Sequence, residues 1–225
     1  MFHRNLSTTM TSTKRGYQED NHLVVKTNKK SKASPEANSD TDLPTQISDM
    51  QSFKEILKKA PSLNKYVGLH VSMSGGLFKA PLNAAEVEAR SFAMFLRSQR
   101  SWKAKPLEET QAEKFKNTCL EVGYSMDMIL PHGIYLMNCG SPDPETLAKS
   151  RSTLIDELKR CEMLGLPLYN FHPGSTCGKI SVNECVKLIA ESINLAHEET
   201  KSVTTLIENM SCQGNTVSEY CTLFR

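Results

Sequence analysis

From Lys65 onward, short apolar runs alternate with longer stretches whose apolar positions recur every three or four residues. The runs are YVGLHVS (66–72), SFAMFL (91–96), MILPH (128–132), LYNFH (168–172) and TTLIEN (204–209). Their length and their β-branched and aromatic content predict strands. Intervals of about 25 to 40 residues leave room for a helix to cross back between each pair, which predicts parallel pairing.

The intervening stretches carry helix punctuation. Asp143-Pro144 supplies an N-cap and a first-turn proline, and Leu147, Arg151, Leu154, Leu158 and Cys161 form a stripe that Gly165 ends. Ser181 and Glu184 have capping-box spacing, followed by Val186, Ile189, Ala190 and Ile193 on one face. A third helix is expected from about Glu108 to Val122, stopping at Gly123. The turn after the first strand run, SMSGG, is glycine-rich and suits tight geometry or close approach to a phosphate. The expected fold class is therefore α/β, with five βα units. A TIM (β/α)8 barrel has eight, so these units amount to an incomplete barrel.

Residues 1–61 break the pattern, being rich in Ser, Thr, Asn, Lys and Asp and poor in aromatics. Such a segment cannot offset its ordering entropy by burial, so a disordered polar tail is expected there, with the folded portion at 62–225. Charge sharpens the division. Residues 1–60 hold ten Lys and Arg against seven Asp and Glu, so the overall charge of +2 leaves the remainder slightly acidic. Net charge therefore does not imply nucleic-acid binding, and any DNA contact must come from local placement of residues such as Arg97 and Arg100. Residues 1–18 lack acidic side chains, which is compatible with a mitochondrial presequence, and KTNKKSK (26–32) is compatible with a nuclear signal or a solvated lysine tract. Seven cysteines without a CxxC pair point to reduced thiols. No apolar run reaches the length of a membrane span.

Candidate chemistry lies where the strand runs end. His132, His172 and Glu208 each follow an apolar run, at strand C-terminal ends, where parallel α/β sheets and barrels place their active residues. Two imidazoles and a carboxylate suit zinc, and three protein ligands describe a catalytic site better than a structural one. A single strand-end histidine is more often a hydrogen-bonding residue. Three such residues on successive strands favour the metal reading, and a carboxylate after an apolar run needs a partner or a metal. His70 ends the first run and is expected at the same rim. Trp102, Tyr135 and Leu136 lie just beyond strand ends, where spacing alone favours lid packing over nucleic-acid contact.

The segments GLHVSMSGG, FLRSQRSW, ILPHGIYLMN, RCEMLGLPLYNFHPGS, AESIN and IENMSCQGN together resemble the endonuclease IV family of apurinic/apyrimidinic endonucleases over about residues 62–225. The resemblance implies a TIM barrel with a trinuclear zinc centre that hydrolyses the phosphodiester 5′ to an abasic nucleotide in duplex DNA. It further implies that His132 and His172 hold one zinc, that Glu208 bridges it to a second, and that Arg100, Tyr135 and Leu136 enter the minor groove. Gly75 and Gly76 match the family turn after the first strand. Cys212, Ser101 and Ile134 depart from the family pattern. The family's later Asp, His and Glu ligands are absent, so at most one zinc, an open sheet edge and low independent activity are expected. Two other readings stay open: a non-catalytic fragment or isoform, and a metal-dependent sugar isomerase on a related barrel.

Overall fold

The computed structural model describes residues 50–59 and 65–210. The expectations for the first 49 residues, including the presequence-like stretch and the Lys26–Lys32 run, lie outside the described residues, as do Cys212 and Cys221.

Five parallel strands form one sheet in the order β1-β2-β3-β4-β5, with β1 at Gly68–His70, β2 at Ser91–Phe95, β3 at Ile129–His132, β4 at Leu168–Phe171 and β5 at Thr204–Ile207. Between them run α2 (Lys79–Glu86), α3 (Glu109–Val122), α4 (Pro144–Leu164) and α5 (Val182–Glu198). The observed elements carry the expected caps. The Asp143 carboxylate accepts from Thr146 N at 2.8 Å, Ser181 and Glu184 close a reciprocal capping box, and Gly123 and Gly165 end their helices in left-handed conformation. The helix α2 fills the crossover expected between the first two strand runs, although no cap or stripe had marked its bounds. Its Pro81 sits in the first turn, where no intrahelical N–H is required.

Strand alternation builds the core. Phe92 and Met94 of β2, Ile129 of β3, and Tyr169 and Phe171 of β4 are buried, and they belong to one cluster with Phe115, Leu154, Leu158 and Ile189 of the helices. The other face of the sheet carries Phe95, His132 and Asn170.

The tail expectation for 1–61 needs one correction. Met50–Lys58 forms a helix, α1, in which Phe53 is only 4% exposed and its ring meets Tyr124 edge-on at 5.8 Å. Phe53, Ile56 and Leu57 have the three-and-four spacing that signals an amphipathic helix. The polar composition around them masked it.

A polar network lies beneath α4. The Arg97 guanidinium donates to Asp156 at 2.9 Å and to the Trp102 carbonyl at 2.5 Å, and Arg160 donates to Asp156 at 2.7 Å and to the Lys105 carbonyl at 2.6 Å. Arg97 is 7% exposed. It therefore braces the loop after β2 and is not available to DNA, which corrects the expectation drawn from its position beside Arg100. Next to it, the fully buried Glu157 accepts a hydrogen bond from the Tyr169 hydroxyl.

Candidate metal centre and its rim

The strand register gathers the candidate ligands. Phe95 pairs with His132, His132 with Asn170, and Asn170 with Leu206, so these four share one row across the sheet. Side chains alternate along a strand, so His172 and Glu208, two residues beyond Asn170 and Leu206, continue the same face. The ladder itself runs on past the strand ends, since Glu208 N donates to the Phe171 carbonyl at 3.2 Å.

One ligand atom from each of His132, His172 and Glu208 lies within 4.8 Å of the others. Glu208 Oε2 is 3.0 Å from His132 Nε2, and Oε1 is 3.6 Å from His172 Nε2. A tetrahedral zinc with bonds of about 2.0–2.1 Å spaces its ligand atoms roughly 3.3 Å apart, and the two separations, one from each carboxylate oxygen, lie near that value. The donor set fits a cation for a second reason. His132 Nδ1 lies 2.8 Å from the Gly133 carbonyl, an acceptor, so it carries a proton. In the neutral ring, Nε2 then turns a lone pair toward the carboxylate, and a cation between them satisfies both. The residues present therefore fit a divalent metal.

Two residues that were not singled out from the sequence support this cluster. Asn170 donates to Glu208 Oε2 at 2.6 Å. Burial pushes the Glu208 carboxyl up, but the Asn170 amide, followed by the neighbouring His132 and His172, outweighs it and holds it below the usual range. Asn138 bonds across to the loop after His172: its side-chain oxygen accepts from Ser175 N at 2.9 Å and Gly140 N at 3.1 Å, and its amide donates to the Ser175 carbonyl at 3.0 Å. Asn170 stands directly before FHPG, two residues ahead of His172, which was the available signal. Asn138 carried none, because the Ser175 backbone it holds lies 37 residues away.

His70 reaches the same rim, with its ring 6.2 Å from that of His132 and 4.5 Å from that of Phe95. Burial, and then the neighbouring His132, lower its pKa. It is not within the three-ligand group.

The rim residues divide. Tyr135 is 56% exposed, yet its ring meets Phe95 edge-on at 5.3 Å and His132 at 5.9 Å, so it both packs over the cluster and faces outward. Arg100 is exposed, and Tyr135 N donates to the Gln99 carbonyl at 3.1 Å, which ties its loop to that of Arg100. Leu136 and Trp102 are partly buried against the core, and Ile134 lies within it. Gly75 and Gly76 take φ of 89° and 122°, a backbone that L side chains rarely adopt.

A parallel βα succession with a His/His/Glu cluster at strand C-terminal ends defines a TIM-barrel scaffold with a group of side chains able to hold a metal. Sequence comparison agrees: residues 82–224 match the family described as xylose isomerase-like TIM barrel. An apurinic-apyrimidinic endonuclease 1 from Plasmodium berghei (strain Anka) is 43% identical over 165 residues, covering 73% of this chain and 32% of that protein. The crystal structure of endonuclease IV from Thermus thermophilus superposes with a TM-score of 0.58 at 25% identity, over 68% of this chain and 55% of that one. A D-allulose 3-epimerase from Methylomonas sp. shares the fold, with a TM-score of 0.50 at 16% identity over 71% of this chain and 58% of that one. Within this barrel family the chain belongs to the endonuclease IV family of apurinic/apyrimidinic endonucleases. It spans about a third of the Plasmodium protein and just over half of the Thermus chain.

Proposed function

We propose that this chain acts in base excision repair as a zinc-dependent endonuclease that hydrolyses the phosphodiester 5′ to an abasic nucleotide in duplex DNA. The observation that carries the reading is the convergence of His132, His172 and Glu208 within 4.8 Å at adjacent strand ends, beneath the exposed Tyr135. The Plasmodium relative's description and the family motifs favour DNA over a sugar substrate.

In this reading, His132, His172 and Glu208 would hold the zinc, which would supply activation of water and stabilisation of charge on the phosphate. Gly133 fixes the His132 tautomer through its carbonyl. Asn170 keeps the Glu208 carboxylate ionised and oriented. Tyr135, Leu136 and Arg100 occupy the groove side of the rim and hold the abasic nucleotide out of the stack, an unstacking cost that is least where the base is missing. Hydrolysis forms one P–O bond from water and breaks the P–O3′ bond, and the departing 3′ oxygen takes the proton. No side-chain nucleophile is required. The described residues offer one such group of three candidate ligands, so at most one zinc per chain is expected from them. We place the protein in the nucleus, with mitochondria as a second site, on the strength of the Lys26–Lys32 run and the acid-free first 18 residues.

The test joins metal analysis to incision of a duplex with one synthetic abasic site. His132→Ala, His172→Ala and Glu208→Gln are expected to lose zinc and incision together. Tyr135→Ala is expected to keep zinc while weakening the preference for abasic over intact duplex. Wild-type chain without zinc, or equal loss of zinc in all four variants, contradicts the assignment.

A further inference from the structure

Beside the metal centre, a cleft of about 610 Å³ opens between the glycine-rich turn after β1, the loop after β2 and the start of α3. It continues from a smaller recess of about 370 Å³ that includes His70, Phe95 and Gln99. Met73, Ser74, Arg97 and Ser98 line both spaces, so one surface runs from the rim of the metal centre into the cleft.

The lining of the larger cleft is cationic and contains no acidic side chain: Arg97, Lys103, Lys105, Lys114 and Arg160 are there. Its two arginines share one carboxylate, Asp156, and their guanidinium groups are engaged with it and with backbone carbonyls. The three lysines are exposed, and none is paired with a carboxylate among the described residues. The Lys114 ammonium stands 4.0 Å from the centre of the Phe78 ring, which holds it over the opening. This local concentration stands out because the chain beyond residue 60 is slightly acidic overall. A pocket of nucleotide size lined by unpaired ammonium groups suits a phosphate ester, and DNA presents one negative charge per about 1.7 Å of its axis.

We propose that Lys103, Lys105 and Lys114 form a phosphate-gripping subsite for the DNA backbone that flanks the damaged nucleotide. The assignment rests on the endonuclease reading above for its substrate class, and it adds a second contact region that reads no sequence and no damage. Lys103 and Lys105 lie on the loop that carries Arg100, so backbone engagement in the cleft also orders the rim. Arg97 and Arg160 contribute from below, holding the carbonyls of Trp102 and Lys105.

The experiment is a fluorescence anisotropy titration of the full 225-residue chain with abasic and intact duplexes over a series of salt concentrations. Lys103, Lys105 and Lys114 are changed to Gln singly and together, and a triple Arg variant restores the charge. For wild type, log K falls linearly with log salt. The triple Gln variant is expected to flatten that slope by roughly one for each lysine, equally for both duplexes, with the abasic-to-intact ratio retained. The triple Arg variant is expected to recover the wild-type slope. An unchanged slope in the triple Gln variant, or failure of the Arg variant to restore it, overturns the subsite, as does absence of salt-dependent binding by wild type. Loss of abasic preference in wild type overturns the endonuclease reading instead, and the slopes still decide the subsite.

Discussion

Glu157→Gln isolates the buried carboxyl beneath the candidate metal centre. Glu157 is fully buried in α4 and accepts from the Tyr169 hydroxyl, and Tyr169 in turn lies under Gly133, whose carbonyl orients His132. Burial, opposed by the Tyr169 hydrogen bond and the Arg97 charge, pushes the carboxyl from 4.5 up to about 7. The folded state thus holds a proton that the unfolded chain has released. Its stability contribution is complete below pH 4.5 and is lost as pH rises through about 7. At 1.36 kcal/mol per pKa unit, the loss comes to about 3 kcal/mol. Glutamine keeps the shape and an acceptor for Tyr169 but carries no titrating proton. The gap between wild type and Glu157→Gln should therefore widen in favour of the variant across that window, while histidine titrations shared by both proteins cancel. Urea unfolding of the two proteins at matched pH values measures it. A pH-independent gap, or one that narrows as pH rises, would refute the reasoning.

Gly133→Ala places a methyl 2.6 Å from Met137 Cε, 2.7 Å from the Tyr169 hydroxyl and 2.8 Å from Phe171 Cβ. Overpacking of this kind costs about 1–3 kcal/mol, read as a lower melting temperature together with weaker zinc retention. Arg97→Met removes the donor shared by Asp156 and the Trp102 carbonyl, and should cost on the order of 3 kcal/mol in unfolding experiments while leaving the salt slope of DNA binding unaltered. Ser181→Ala opens the capping box of α5 and should cost about 1 kcal/mol, measured by thermal melting.

Much of the architecture was legible because local rules act on local sequence. Apolar runs of strand length, Asp143-Pro144, the Ser181/Glu184 pair and the terminating Gly123 and Gly165 each declare an element without reference to distant residues. His132, His172 and Glu208 were legible for the same reason, since each abuts such a run. Where composition diluted the signal, as around Phe53, α1 was missed, and α2 was expected only as a crossover without bounds. Only the tertiary structure decided what depends on register and on long-range pairing. The row Phe95–His132–Asn170–Leu206 puts all three candidate ligands on one face, and a slip of one residue would have scattered them, because successive side chains point to opposite sides of a sheet. Arg97 and Arg100 are near neighbours in sequence with the same chemistry. Burial of Arg97 against Asp156 makes it a brace, whereas Arg100 stays exposed. The Asn170 bond to Glu208 and the Tyr169 bond to Glu157 likewise join side chains from separate elements, and no spacing within one segment encodes a contact made only when those elements pack.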